Sequence, residues 1–224
     1  MKILIVTQYF YPENFKSNDL AFELQKRNHS ITVLTGIPNY PEGKIYKDYG
    51  ILKKRKEIIN GVKVYRSLII PRGNASGVRL FINYYSFAFF ASIKAFFLGL
   101  NNHYDAVIVH EPSPITQFYP ALLIKKIWKT PIYFWVMDLW PETLSVAGGI
   151  QNKLVLKYYN SVVTSFYNNS EKILITSRGF KKSILKKGDF EKKIIYFPNW
   201  AEDVISEGNK KCLIPELPKG FKIM

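Results

Sequence analysis

Short runs of apolar, β-branched residues alternate along this chain with longer stretches whose apolar residues recur at helical spacing. ILIVT at Ile3–Thr7 reads as a first strand, being short and continuously apolar. Ser17–Arg27 reads as a helix: Leu20, Phe22 and Leu24 supply an apolar stripe, and Asn18-Asp19 suit its first turn. SITVLT at Ser30–Thr35 is a second strand, followed by a loop at Gly36–Tyr46 rich in turn residues. Gly61 parts two short runs, Glu57–Ile59 and Val62–Arg66, which suggest a hairpin or a bent strand. Further strands are expected at Ala106–His110, Pro131–Met137, Lys172–Thr176 and Lys193–Phe197. Helices are expected at Thr116–Trp128, Asn152–Asn168 and Phe180–Lys187.

Strands that are apolar throughout belong in a parallel sheet covered on both faces. Repeated strand–helix units then predict a doubly wound α/β domain, a Rossmann-like parallel sheet with helices on both faces. The segment Arg79–Leu100 stands apart, because it is long enough to approach a membrane span. Asn83, Ser86 and Lys94 lie near one face of it, and Lys94 near the centre of a span is expensive. Two readings remain: a crossover helix packed on the sheet, or a partly exposed helix lying on a membrane surface beside Arg72 and Arg79.

The 224 residues carry a net charge of +15, in short basic groups spread along the chain rather than in one tail. Such groups suit a solvated face, an anionic membrane surface or a phosphorylated ligand. A recognition-helix pattern and an aromatic strand motif are both missing, which argues against a specific nucleic-acid partner. The single cysteine, Cys212, excludes an intrachain disulfide and a thiolate-rich zinc site. MKILIVTQYF has no small-residue cleavage site after it and reads as a strand, so a cytoplasmic location is expected. Asn199–Gly220 is polar and proline-containing, and GFKIM then begins a strand-like run. The expected divisions are a domain over residues 1–200, a linker over 201–219, and the start of a second, truncated domain over 220–224.

Ligands of open parallel sheets collect at the carboxyl ends of the strands. Four polar or glycine-bearing stretches fall there: Gln8–Asn18, Gly36–Gly43, His110–Pro114 and Asp138–Leu144. None contains a dinucleotide fingerprint, a phosphate-binding P-loop or a nucleophile elbow, and no H-E-x-x-H exists. No metal site is expected. His110 can serve as a base or a hydrogen-bonding group, or simply close a strand end. Pro112 and Pro114 stiffen the turn that follows it. Asp138 and Glu142 share a turn with Trp140 and Pro141, where they can bind sugar hydroxyls or cap the next segment.

MKILIVTQYFYPENF, LTGIPNYPEGKIY, MDLWPE and FPNW together resemble the N-terminal domain of the family 4 glycosyltransferases, which have two facing Rossmann-like domains in the GT-B arrangement. The resemblance extends over nearly the whole chain and is strongest to the bacterial branch that builds capsule, O-antigen or colanic-acid units. It implies transfer of a sugar, with retention and without metal, from a nucleotide sugar to a lipid-diphosphate-linked glycan. This half would be the acceptor side, inactive alone, and peripheral on the inner face of the cell membrane. His110 matches the strand-end histidine that lies near the donor sugar. Asn39, Tyr40, Glu111, Asp138, Trp140 and Glu142 would border the cleft. Asn14, Phe15 and Lys16 would form the donor-phosphate loop, although ENFKSN lacks the glycine pair of many relatives. Arg72, Arg79, Phe87, Phe90, Lys94 and Phe97 would face the membrane. The alternatives are another GT-B-like enzyme, such as a nucleotide-sugar epimerase or a glycan phosphorylase, and a basic nucleic-acid-binding module.

Overall fold

The computed structural model describes residues 1–146 and 149–201, so the expected linker and second-domain start lie outside the described residues, Ala201 aside. The elements run β1 (Lys2–Val6), α1 (Lys16–Lys26), β2 (Ser30–Gly36), β3 (Lys56–Ile59), β4 (Val62–Ser67) and α2 (Gly77–Asn101). After these come β5 (Ala106–Glu111), α3 (Tyr119–Trp128), β6 (Ile132–Val136), α4 (Glu142–Val146) and α5 (Lys153–Asn169). The order closes with β7 (Lys172–Ile175), α6 (Phe180–Leu185) and β8 (Ile194–Tyr196).

The eight strands of the described residues form one sheet in the order β3-β4-β2-β1-β5-β6-β7-β8. Among them only β3 runs antiparallel, paired to β4 across the tight turn at Asn60-Gly61, so of the two expected alternatives, hairpin or bent strand, the hairpin forms. The chain winds outward from β1 in one direction and then outward from β5 in the other. The winding reverses between β1 and β5, and the carboxyl ends beside such a reversal are the usual ligand position of an open parallel sheet.

Alternation along the strands divides the core. Leu4, Val6, Val107, Val109, Phe134 and Val136 face the side covered by α2, α3 and α5. Ile3, Ile5, Ile31, Val33, Val62 and Val64 face α1. Phe118 stacks on Phe166 at 4.5 Å and meets Phe134 edge-on at 4.8 Å, locking α3 and α5 to the sheet. Each such fully buried ring contributes about 1.5–3 kcal/mol by removal from water. Helix α3 approaches α2 at Gly99, where a Cβ would stand 2.9 Å from Ile127 Cδ1.

Three expectations about packing change. The buried residues of α1 are Ser17, Asn18 and Ala21, while Phe22 and Leu24 are only partly covered. Small residues let α1 lie close to the sheet, so the larger ones project past the contact. The expected helix at 116–128 divides into a 3₁₀ turn, Ile115–Phe118, and α3, which begins beside Pro120, a residue favoured in a helical first turn. Arg66, one of the basic residues for which a solvated face, an anionic surface or a phosphorylated ligand is expected, is wholly buried. Its guanidinium donates to Glu57 Oε1 at 2.6 Å and to the Tyr11 carbonyl at 2.7 Å, which compensates the burial of its charge.

Candidate functional site at the sheet switch point

The loop after β1 and the loop after β2 are held together by one carboxylate. Glu13 is buried, and its Oε1 accepts from the backbone N–H groups of Asn39 (2.9 Å) and Tyr40 (2.8 Å). Its Oε2 accepts from the Phe10 N–H at 3.3 Å. Burial raises the Glu13 pKa to about 7, outweighing those three bonds and the nearby Arg66, all of which favour the charged form. Gly43 sits in the left-handed region at φ +73°, and a Cβ there would lie 1.9 Å from the Gly73 carbonyl oxygen. That close approach joins the β2 loop to the segment leading into α2.

These ties build an aromatic wall. Tyr9 stacks on Phe15 at 5.0 Å, and Tyr40 packs against both at 5.4 Å. The Arg72 guanidinium lies 5.0 Å from the centre of the Tyr40 ring and 5.9 Å from that of Tyr9. The Arg72 backbone N–H donates to Asn39 Oδ1, which fixes the segment, while its side-chain Nε is buried without an acceptor among the described residues. Arg72, expected at the membrane, is therefore drawn over the rings of the cleft. Tyr84 of α2 lies beside it: burial raises that phenol, Arg72 and Ser113 oppose the shift, and the charge of Asp138 adds to it.

His110 and Glu111 end β5 on opposite faces of the sheet. His110 is completely buried, with its Nδ1 3.3 Å from Thr7 Oγ1 and its ring 4.5 Å from that of Trp135 on β6. Nε2 has no partner among the described residues. Burial lowers the His110 pKa to about 3, so the ring is neutral near pH 7. Trp135 is covered in turn by Trp200 (5.5 Å) and Phe197 (5.3 Å), which places the FPNW stretch over the ends of β5 and β6. Glu111 is also fully buried. Burial and the neighbouring Asp138 charge raise its pKa well above the ordinary value, against the pull of backbone N–H groups at Ser113, Met137 and Asp138. Those N–H groups approach the carboxyl without completing a hydrogen bond of good geometry, so neither oxygen has a full partner among the described residues.

The residues after β6 separate. Asp138 is half-buried, and burial raises its pKa. Trp140, expected in the cleft, is instead in the core, 4% exposed and packed on Tyr159 at 5.3 Å. Glu142 reaches α6, where its Oε1 accepts from Ser183 and from Lys187 Nζ. Burial raises the Glu142 pKa, but those two donors prevail and hold it below the usual value. It ties α4 to α6.

Asn39 is buried, Tyr40 is 37% exposed, Phe15 is half-buried and Asn14 is exposed at the mouth of the β1 loop. Lys16 opens α1 and lies 3.4 Å from Asp19. Among the residues expected to face a membrane, Arg79 is exposed, Phe97 is 58% exposed, and Phe90 and Lys94 are half-buried. Phe87, however, is wholly buried against the sheet, because it lies on the face of α2 shared with Ala91 and Ala95. Sequence reasoning did not single out Glu13, Tyr9, Tyr84 or Trp135. An acid between two loops gives no local sign of being buried, and aromatic residues in a core-rich chain give no sign of lining a cleft. Among the described residues, no three His, Cys, Asp or Glu side chains are grouped to hold a metal ion.

No protein-family model matches the chain, and no curated protein does. Solved structures do. Sucrose-phosphate synthase from Thermosynechococcus elongatus matches with a TM-score of 0.61 at 10% identity, over 89% of this chain and 48% of that one. Anabaena HepE, solved in complex with UDP and glucose, matches with a TM-score of 0.52 at 10% identity, over 92% of this chain and 46% of that one. The chain thus spans about half the length of each structure. At such identity the likeness speaks for the fold alone: this is a Rossmann-like α/β domain of the kind found in GT-B glycosyltransferases.

Proposed function

We propose that the chain is the acceptor-side half of a retaining glycosyltransferase. It would move a sugar from a nucleotide sugar to a lipid-diphosphate-linked glycan at the inner face of the bacterial membrane, in capsule or O-antigen assembly. The observation that carries this reading is the convergence of four loops on one crevice at the β1–β5 reversal, in a fold also seen in HepE with UDP and glucose. Retention and the lipid-linked acceptor rest on the motif resemblance.

Each residue then has a physical role. Tyr40 and Phe15 offer ring faces against which a sugar can pack, and Arg72 sets a cation on the same wall for an acceptor phosphate. Asp138, half-buried, accepts from sugar hydroxyls. The N–H groups at the start of α1, with Asn14 and Lys16, face the donor phosphates. Neutral His110 serves through Nε2 as a hydrogen-bonding group rather than a proton carrier near pH 7, and a sugar reaches it once its covering side chains shift. Glu111, sealed from solvent, supports the strand end.

The test is a transfer assay, using the protein joined to its nucleotide-binding partner domain, a panel of nucleotide sugars and membrane-extracted lipid-linked acceptors. Glycosylated acceptor is expected. Arg72→Ala and Asp138→Asn should each lower transfer at least about tenfold at unchanged melting temperature, the loss of roughly one charged hydrogen bond. The 224-residue chain alone should be inactive. Epimerised donor without acceptor, or cleavage dependent on inorganic phosphate, would replace this reading with one of the other two enzyme classes.

A further inference from the structure

Helix α2 is partly inside out. Asn83 is fully buried, accepting from Gln8 Nε2 at 2.8 Å and donating to the Ile70 carbonyl, while Ser86 Oγ accepts from the Ile70 N–H. The apolar residues Phe81, Ile82, Phe89, Ile93, Phe96 and Leu100 instead face outward, each 38–62% exposed. At 1.5 Å per residue this stripe runs along a helix of about 37 Å.

Beside the second half of that stripe lies a pocket of about 430 Å³ between α2 and β4. Tyr65, Leu68, Phe90, Ile93, Phe97 and Leu98 supply its apolar walls, and Ile93 also belongs to the exposed stripe. Arg55 and Lys94 supply its charge. Arg55 spends Nε on the Arg66 carbonyl and Nη1 on the Ile51 carbonyl, and neither cation makes an ion pair with the described residues. Lys94 makes no hydrogen bond with them either. Burial, and secondarily the Arg55 charge, hold the Lys94 ammonium below its ordinary pKa. Two like charges share a half-apolar pocket, and an anionic ligand would relieve their repulsion.

We infer that this pocket binds the phosphate of an anionic phospholipid, with Lys94 and Arg55 as its ligands and the outward stripe of α2 lying in the acyl region. The pocket's apolar walls and their continuity with the stripe favour a lipid over a soluble phosphate. The net charge of +15 favours an anionic surface. The inference rests on the membrane part of the proposed function and is independent of the transfer chemistry.

Co-sedimentation with vesicles tests it. The protein should bind phosphatidylcholine–phosphatidylglycerol vesicles and bind pure phosphatidylcholine far more weakly. Lys94→Gln and Arg55→Gln should each weaken partitioning about fivefold. Lys182→Gln with Lys192→Gln, at the opposite end of the sheet, should change it less than twofold. Lys94→Met, which keeps the apolar stem, should behave like Lys94→Gln and controls for folding alongside thermal melts. Equal losses from the pocket variants and from the Lys182/Lys192 pair would overturn the pocket while leaving general membrane attraction standing. No binding to anionic vesicles at low salt would overturn both. Displacement of vesicles by millimolar glycerol phosphate would show a soluble-phosphate site and overturn the lipid assignment.

Discussion

Glu13 gives the sharpest quantitative test of how the cleft is built. Replacing it with Gln keeps the shape and keeps one oxygen for the Asn39 and Tyr40 N–H groups, but turns an N–H₂ toward the Phe10 N–H. The lost Phe10 bond costs about 1–2 kcal/mol at every pH. The pH-dependent part has the opposite sign. The folded pKa is raised from 4.5 to about 7, so the folded state holds a proton that the unfolded state has released across that interval. The stability contributed by the protonated acid is full below about pH 4.5 and is lost as pH rises through 7. At 1.36 kcal/mol per pH unit, the native protein should lose about 2–3 kcal/mol relative to Glu13→Gln between pH 5 and pH 8. Urea unfolding of both proteins at those two pH values, followed by tryptophan fluorescence, measures the difference. The variant should be the weaker at pH 5 and should draw level with or pass the native protein at pH 8. Parallel stability curves would refute the claim that Glu13 is buried as a proton-binding hub.

Two further substitutions test the frame around the site. Arg66→Ala should cost about 3–5 kcal/mol in urea unfolding, since it strands the Glu57 carboxylate and the Tyr11 carbonyl, whereas an exposed arginine would cost almost nothing. Phe87→Ala should cost about 3–5 kcal/mol and Phe96→Ala less than about 0.5 kcal/mol by the same method; equal costs would contradict the assigned orientation of α2.

The sheet was legible because its strands, such as ILIV and AVIV, are apolar on both faces, and the Asn60-Gly61 turn marked the β3–β4 pair. The carboxyl-end loops were legible for the same reason: each follows a recognisable strand. Side-chain destinations were not. Arg66 lies in a strand that reads as ordinary basic surface, and only the distant Glu57 and the Tyr11 carbonyl make its burial tolerable. Trp140 sits in a motif with two acids, yet the space between α5 and the sheet takes its ring. Phe87 and Phe89 are indistinguishable in composition, and helical phase relative to Ala91 and Ala95 sends one inward and the other out. Asn83 and Ser86 share a polar face of α2, and nothing local in the sequence shows that they serve the carbonyl and N–H of Ile70.

The central claim is that sugar substrates bind at the carboxyl edge of β1, β2, β5 and β6. Hydrogen exchange of the chain joined to its proposed partner domain, with and without nucleotide sugar plus an acceptor analogue, measures this most directly. Slower exchange is expected in residues 8–18, 36–46, 110–114 and 137–142, with the outer face of α2 unchanged in the absence of lipid. Protection confined to other parts of this domain, with those four loops unaffected by saturating ligand, would contradict the account.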